Sequence, residues 1–206
     1  MGEIYFTSDH HFYHRSIIEY SNRPWPDVDQ MNQGLIELWN ERVSMQDTIY
    51  YLGDFCWRDA KAAKLILGSL NGRIHLVPGN HDKRIIRSPE VRGPGRFESI
   101  NPILELNIDR QHIVLCHYAM LVWNKRHHGS WMLHGHSHGN LDIDWKAKRM
   151  DVGVDAVDYL YNKSLIELVD KGQPWNFKPE YRPIHFEEVR QVMSTRGFEA
   201  VDHHGR

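Results

Sequence analysis

The sequence predicts an α/β fold, because short apolar runs of strand length alternate with segments of helical periodicity, and turn-forming or polar residues follow each run. The chain has 206 residues, enough for one domain with a sizeable core. Hydrophobic residues make up 41% and charged residues 25%, which is ordinary for a globular protein and excludes a disordered or fibrous chain. We therefore expect residues 1–206 to form a single α/β domain.

Individual elements can be placed along the chain. Apolar and β-branched runs predict five strands, at 4–7, 48–52, 74–77, 112–116 and 131–133. Helical spacing of apolar residues predicts helices at 30–43, 59–70 and 183–193. We expect less regular structure at 93–106, strand or turn structure at 152–169 and a linker at 172–183. Residues 173–206 would then be a C-terminal extension that ends in a helix.

Composition narrows the function classes. The net charge of −2 gives no overall attraction to nucleic acid or anionic membrane, so any recognition of phosphate has to be local. No apolar stretch approaches the roughly 20 residues that span a bilayer, and the N-terminus is unlike a signal peptide, so we expect a cytoplasmic protein. The two cysteines, Cys56 and Cys116, are expected to be buried thiols. The 15 histidines are the unusual count, since histidine is the commonest metal ligand.

Metal-competent side chains follow all five predicted strands. In chain order they are Asp9 and His11, Asp54, Asn80, His117, and His136 and His138. In open α/β sheets ligands bind beyond the carboxyl ends of the strands, so we expect these side chains to converge. Residues two apart point to one face of extended backbone, which predicts that Asp9 and His11 share a face and that His136 and His138 do the same. Glycine precedes three of these residues, as a positive φ or a close backbone approach requires.

The donor set indicates the kind of metal site. Carboxylate, imidazole and amide ligands without thiolate suit Mn, Fe or Zn and exclude a structural zinc finger. Seven candidates are too many for one tetrahedral ion and suit two ions that share a bridging carboxylate, for which Asp54 is the natural choice. Two divalent ions outweigh two aspartates, so the site stays electropositive and favours an anion such as a phosphate ester.

The series Asp-x-His, Gly-Asp, Gly-Asn-His-Asp, a lone His and Gly-His-x-His, from residue 9 to residue 138, resembles the calcineurin-like metallophosphoesterase superfamily. The resemblance implies a four-layer αββα sandwich of two mixed β-sheets flanked by helices. It also implies one metal held by Asp9, His11, Asp54 and His138, and another held by Asp54, Asn80, His117 and His136. A metal-bridging hydroxide would attack phosphorus, and His81, in the position of the family's catalytic histidine, would protonate the leaving oxygen.

One departure bears on the substrate. Protein phosphatases of this superfamily have an aspartate and an arginine shortly after Gly-Asp, whereas this chain has Trp57 and Arg58. The chain therefore resembles the small bacterial or phage-type branch, as its Asn22-Arg23-Pro24-Trp25 segment also does. Arg58 and Arg15 are the arginines expected to bind substrate phosphate.

The substrate itself stays open between phosphodiesters and phosphomonoesters. Basic residues after the Gly-Asn-His-Asp turn, with nearby tryptophans, favour a nucleotide or single-stranded nucleic acid, although a solvated charged surface explains the basic residues equally well. Two other functions remain as alternatives: a catalytically weak family member that acts as a binding or scaffold protein, and a phosphoprotein phosphatase. The remaining histidines, among them His10, His14 and His134, are expected to lie at the surface or in hydrogen bonds. The sequence predicts no oligomeric state.

Overall fold

A computed structural model describes residues 2–141, 144, 146–156 and 180–199. The first half contains, in chain order, β1 (Ile4–Thr7), α1 (Ile17–Tyr20), α2 (Val28–Arg42), β2 (Thr48–Tyr51), α3 (Ala60–Ser69) and β3 (Arg73–Leu76). The second half contains β4 (Phe97–Ile100), β5 (Ile103–Ile108), β6 (Gln111–Cys116), β7 (Trp131–His134), β8 (Arg149–Asp151), β9 (Ile184–His185) and α4 (Phe186–Ser194). Short 3₁₀ helices occur at Pro89–Val91 and Arg126–His128.

The five predicted strands and three predicted helices are all present, with ends that shift by a few residues. The two longest helices begin at aspartate caps: Asp27 accepts a hydrogen bond from the backbone N–H of Gln30, and Asp59 accepts one from that of Ala62. The expectation of irregular structure at 93–106 was wrong, because β4 and β5 lie there. Strand β5 has alternately exposed and half-buried residues, so its apolar signal is weak. The expectations for 157–169 and 172–179 lie outside the described residues.

The strands form two mixed sheets. In the five-stranded sheet the order is β4-β3-β2-β1-β9, and only β9 runs antiparallel to its neighbour. In the four-stranded sheet the order is β5-β6-β7-β8, and only the β5-β6 pair is antiparallel. This arrangement confirms the predicted α/β sandwich of two mixed sheets with helices.

The core is layered around these sheets. Phe6 of β1 and Leu52, directly after β2, pack with Ile113 and Leu115 of the second sheet, so this cluster lies between the sheets. A second cluster, which includes Leu35 and Trp39 of α2 and Ala63 and Ile66 of α3, covers the other face of the first sheet. Val114 and Met132 alternate with the inward residues of β6 and β7 and pack with Trp123 and Ala147 on the far side.

The C-terminal residues of the described chain belong to this core. Strand β9 pairs with β1, and α4 contributes its buried apolar side chains, Phe186, Val189, Val192 and Met193, to the cluster between the sheets. The prediction that 1–206 form one domain stays a prediction.

Within the described residues no helix has both the length and the apolar character needed to cross a bilayer.

Candidate metal centre

The predicted ligands meet at the carboxyl ends of β1, β2, β3, β6 and β7, in two adjacent clusters. One donor atom from each of Asp9, His11 and His138 lies within 4.8 Å of the other two. Asp54, His117 and His136 form a second cluster of the same kind. The Oδ1 atom of Asn80 lies 3.1 Å from Nε2 of His117, beside the second cluster. The structure therefore brings together all seven residues that the sequence singles out.

Asp54 lies between the two clusters. Its Oδ2 atom is 3.6 Å from Nε2 of His11 in the first cluster and 3.6 Å from Nε2 of His117 in the second. Its other oxygen, Oδ1, accepts a hydrogen bond from the backbone N–H of His81 at 2.9 Å. This hydrogen bond fixes the carboxylate so that Oδ2 faces both clusters. Asp9 is held in a similar way, because its Oδ2 accepts from the backbone N–H of His136 at 2.8 Å, and its Oδ1 has no hydrogen-bond partner in the part of the chain that the structure describes.

Five of the candidate ligands have left-handed backbone. The φ angles are 60° at Asp9, 52° at His11, 57° at Asp54, 68° at His136 and 48° at His138. Extended backbone was therefore the wrong reason to expect paired side chains, and His136 and His138 join different clusters. A left-handed conformation costs a non-glycine residue about 1–3 kcal/mol, although Asp and His adopt it more readily than most. Strain of this kind concentrates at functional sites.

Two of the glycines are required by close packing. A Cβ atom on Gly135 would clash with Oγ of Ser8 and Oδ2 of Asp9. Gly53 has a φ of +97°, and a Cβ atom there would lie 2.6 Å from Nδ1 of His117. These positions bring backbone against the candidate ligands, as the sequence predicts.

Hydrogen bonds that Nδ1–H can donate to oxygen atoms orient two of the imidazoles. Nδ1 of His117 lies 2.7 Å from the carbonyl oxygen of Leu52, and Nδ1 of His138 lies 2.6 Å from Oδ2 of Asp155. Each Nδ1–H can donate to its oxygen, which leaves the lone pair of Nε2 for the centre. Burial alone would lower the pKa of His138, but the hydrogen bond to Asp155 and the charges of Asp9 and Asp155 together raise it.

Asp155 is in turn held by a buried arginine. Nε and Nη2 of Arg23 donate to the two oxygens of Asp155 at 2.9 and 2.8 Å. The same guanidinium donates to the backbone carbonyls of Asp9, at 2.7 Å, and His10, at 2.6 Å. The Arg23 side chain is fully buried, and its charge holds the pKa of Asp155 below the usual value although burial acts to raise it. Arg23 thus connects the β1 loop to the residue that orients His138.

Asp82 links two other loops through hydrogen bonds to their backbone N–H groups. Its Oδ2 accepts hydrogen bonds from the backbone N–H groups of Asp54 and Gly79, both at 2.8 Å, and its Oδ1 accepts from Phe55 at 2.9 Å. The side chain is fully buried. The loops after β2 and β3 are therefore fixed to each other.

The polar atoms of the centre fit a cation. Oδ1 of Asp9 and Nε2 of His11 are buried and have no hydrogen-bond partner among the described residues. Burial raises the pKa of Asp9 well above its usual value and lowers the pKa of His11 well below its own. A buried carboxylate beside neutral imidazoles is costly without a counter-charge, and a bound metal ion supplies one.

The imidazole of His81 reaches the edge of this centre. Its Nε2 is 4.0 Å from Oδ2 of Asp54, and its side chain is 37% exposed, so a bound substrate can reach it. The Trp57 ring is 4.5 Å from the His81 ring and stacks on His14 at 3.8 Å, with the two planes 4° apart. His14, expected to lie at the surface or in a hydrogen bond, lines this site, and its Nδ1 is 3.3 Å from Nδ1 of His11.

The two predicted phosphate-binding arginines occupy different places. Arg15 lines a cavity of about 680 Å³ that also contains His11, Asp54, His81 and His138. Arg58 does not line that cavity; its guanidinium lies over the ring of Tyr13, a lining residue, 5.4 Å from the ring centroid. Their roles as phosphate ligands remain predictions.

Comparison with known proteins identifies the family. The model of the calcineurin-like phosphoesterase family matches residues 2–203. The chain belongs to this family. As a calcineurin-like phosphoesterase it is a metal-dependent hydrolase of phosphate esters, and the two clusters described above are its two candidate metal sites.

Relatives of this phosphoesterase occur in archaea and in phages. The uncharacterized protein MJ1445 of Methanocaldococcus jannaschii is 35% identical over 182 residues, which cover 84% of this chain and 94% of that protein. The Gene 66 protein of Mycobacterium phage D29 is 28% identical over 184 residues, covering 76% of this chain and 89% of the phage protein. The structure of AQ665 from Aquifex aeolicus, a protein of unknown function, aligns with a TM-score of 0.64 at 23% identity, over 93% of this chain and all of that chain. This last likeness shows the fold alone.

Sequence reasoning missed the residues that support the ligands. Arg23 was noted only as part of a branch-typical segment, and Asp82 only as part of a motif. Asp155 is 132 positions from Arg23, so no local pattern indicates their pairing. Arg23 follows the polar residues Ser21 and Asn22, so the sequence gives no sign that its charge is buried and needs a partner.

Proposed function

We propose that this protein hydrolyses phosphodiesters or phosphomonoesters derived from nucleotides or nucleic acids, with two metal ions at the described centre. The position of Asp54 carries this proposal, because one carboxylate oxygen is equally far from a histidine of each cluster. Asp9, His11, Asp54 and His138 would hold one ion, and Asp54, Asn80, His117 and His136 the other. Mn, Fe and Zn all suit these oxygen and nitrogen donors.

Bound there, the ions would lower the pKa of water enough to supply a nucleophile near neutral pH, and would offset the charge of the phosphate. The chain's own residues do the rest. Asp54 and Asp9 are held by backbone N–H groups, so their free oxygens need no reorganisation on binding. His81 donates the proton on its Nε2 to the leaving ester oxygen as the bond between phosphorus and that oxygen breaks. Arg15, which lines the same cavity as His81, would contact a phosphate oxygen.

The surroundings of His81 favour a small substrate over a phosphoprotein. Trp57 is 44% exposed, lies beside His81 and stands where protein phosphatases have an aspartate. It offers an apolar ring to a substrate instead of a charge. Aromatic rings beside a phosphate site favour nucleotides or single-stranded nucleic acid, since every base has a face that can stack. The chain retains every expected ligand, which argues against a protein that only binds or scaffolds. The cytoplasmic location stays a prediction.

Metal analysis and kinetics test this function. The purified protein, saturated with Mn, is expected to hold about two ions per chain and to hydrolyse bis(4-nitrophenyl) phosphate or 4-nitrophenyl phosphate. A panel of cyclic nucleotides, dinucleotides and a phosphoserine peptide then ranks the substrate classes. Binding of fewer than two ions, or no turnover of any ester, would overturn the proposal. Preference for the phosphopeptide would overturn the nucleotide part.

A single substitution tests the acid. His81→Ala is expected to lower kcat by about 10²- to 10⁴-fold and to leave the metal content unchanged, as loss of a general acid does. His128→Ala is the matched control, because His128 is an exposed histidine outside both cavities that His81 lines. Equal activity of the two variants would remove His81 from the reaction.

A further inference from the structure

Two cavities meet at the side chains of Trp57 and His81. The larger, of about 680 Å³, is lined by candidate ligands of both clusters, namely His11, Asp54, His136 and His138. The smaller, of about 290 Å³, is lined by Trp57, Asn80, His81, Lys83 and Arg84. Trp57 and His81 line both, so they form the wall between them. A substrate whose phosphate lies at the metal centre beside His81 can therefore extend to either side of this wall.

The smaller cavity is suited to an anion. Lys83 and Arg84 are exposed, and neither forms a hydrogen bond or ion pair with any described residue. No carboxylate lines this cavity. Two unpaired cations beside an open space, in a chain with a net charge of −2, give a local positive potential that the whole molecule lacks. Lysine and arginine are also the side chains that proteins use to bind phosphate.

The larger cavity has a different character. Tyr13, His14, Tyr20 and Trp57 supply aromatic walls, and Arg15 is the only lysine or arginine among the residues that line it. Its volume falls within the roughly 300–1,000 Å³ of cavities that hold organic ligands. The stack of Trp57 on His14 keeps the indole in place although nearly half of it is exposed. An organic group such as a nucleoside fits this side better than a second phosphate does.

We propose that Lys83 and Arg84 form a subsite for a second phosphate of the substrate. This inference rests on the proposed function, and it narrows the substrate class to molecules that carry one phosphate at the metal centre and another nearby. Oligonucleotides and nucleoside polyphosphates share that chemistry. A simple diester such as bis(4-nitrophenyl) phosphate fills the centre and leaves the subsite empty.

Substrate pairs that differ by one phosphate test the subsite. With Mn-saturated protein we compare kcat/KM for the dithymidine diester TpT with that for pTpT and TpTp, which add a terminal phosphate at one end or the other. A second series uses a dinucleoside tetraphosphate, which represents the nucleoside polyphosphates. Two exposed charge-assisted contacts are expected to give about a 10-fold advantage to at least one substrate with the extra phosphate. The series that shows the advantage identifies whether the second phosphate belongs to an oligonucleotide or to a nucleoside polyphosphate.

The variants are Lys83→Ala/Arg84→Ala and a matched control, Lys64→Ala/Arg87→Ala, which removes two exposed cations that line neither cavity. The first variant is expected to lose the 10-fold advantage and to keep the wild-type kcat/KM on bis(4-nitrophenyl) phosphate. The control is expected to keep both.

A binding measurement gives a second readout. Calorimetric titration of the Mn-saturated wild type is expected to show about 10-fold tighter binding of adenosine 3′,5′-bisphosphate than of adenosine 5′-monophosphate. The same titration of the Lys83→Ala/Arg84→Ala variant should show equal affinities.

The inference would be overturned if the wild type treated TpT, pTpT, TpTp and the tetraphosphate alike, or if the Lys83→Ala/Arg84→Ala variant kept the advantage. In either case activity on bis(4-nitrophenyl) phosphate would leave the proposed function standing. Absence of activity on every ester would instead overturn the proposed function.

Discussion

Replacement of Asp155 by asparagine is the sharpest test of how the centre is held. Both oxygens of Asp155 accept from N–H donors: Oδ1 from Nε of Arg23, and Oδ2 from Nη2 of Arg23 and Nδ1 of His138. Asparagine keeps the shape but turns one oxygen into an NH₂ group. In either orientation that NH₂ faces at least one N–H donor, and the fully buried guanidinium loses its counter-charge.

The size of the effect follows from burial. Loss of one partner from a buried ion pair typically costs about 3–5 kcal/mol. A chain of this length shifts its Tm by roughly 2–4 °C per kcal/mol, so thermal unfolding of Asp155→Asn should occur about 10 °C lower. Because the orientation of His138 depends on Asp155, the affinity for Mn should also fall by about 10- to 100-fold.

The matched control is Asp109→Asn. Asp109 forms an equally short ion pair with Arg190, at 2.7 Å, but the two side chains are 67% and 42% exposed. Exposed pairs contribute at most about 1 kcal/mol, so the control should change Tm by no more than a few degrees and should not change Mn affinity. Thermal unfolding by circular dichroism and Mn titration by calorimetry measure both quantities. If Asp155→Asn matched the control in Tm and Mn affinity, the assignment of Arg23 and Asp155 as positioning residues would be wrong.

Three further changes test other parts of the site. Burial raises the pKa of Asp9, so its ionisation destabilises the metal-free fold at neutral pH but not below the ordinary pKa of about 3.9. Asp9→Asn should therefore raise the Tm of the metal-free protein at pH 7. It should also reduce the rise of Tm with Mn, leaving the contribution of the second cluster, which does not include Asp9. Gly135→Ala should lower Tm and the affinity for Mn, because the added Cβ atom clashes with neighbouring side chains. The control is Gly68→Ala on α3, where the Cβ atom meets open space and the free energy of unfolding should rise by about 0.5–1 kcal/mol. Asp82→Asn should lower unfolding free energy by about 1–3 kcal/mol in urea titrations, because one buried N–H loses its acceptor. If a substitution left Tm, Mn affinity and the free energy of unfolding unchanged, the contact assigned to that residue would be wrong.

The sequence predicts that the candidate ligands converge because each follows a strand with a clear apolar signal. Strand β1 was predicted with its observed bounds, and the residue two positions beyond its end is Asp9. The edge strand β5 was not predicted because one of its faces is exposed and the other is only half-buried, which leaves a weak apolar signal. Side-chain spacing alone does not reveal left-handed backbone, so the spacing of Asp9 and His11 predicts extended residues where the structure has positive φ angles. Contacts such as Arg23 with Asp155 depend on the closed fold and lie beyond any local pattern.

The centre combines features that each oppose folding. Asp9 is buried with one unpartnered oxygen, and left-handed backbone occurs at candidate ligands in the loops after β1, β2 and β7. The groups that offset these costs are the buried Arg23 and Asp82, which bind backbone carbonyls and backbone N–H groups of the same loops. Since a cation relieves the charge on Asp9 without disturbing those hydrogen bonds, metal should stabilise a centre that is already shaped. Mn is therefore expected to raise Tm and to leave the far-ultraviolet circular dichroism spectrum unchanged, and a large gain of helix or strand signal on binding would show that the ion shapes the loops instead.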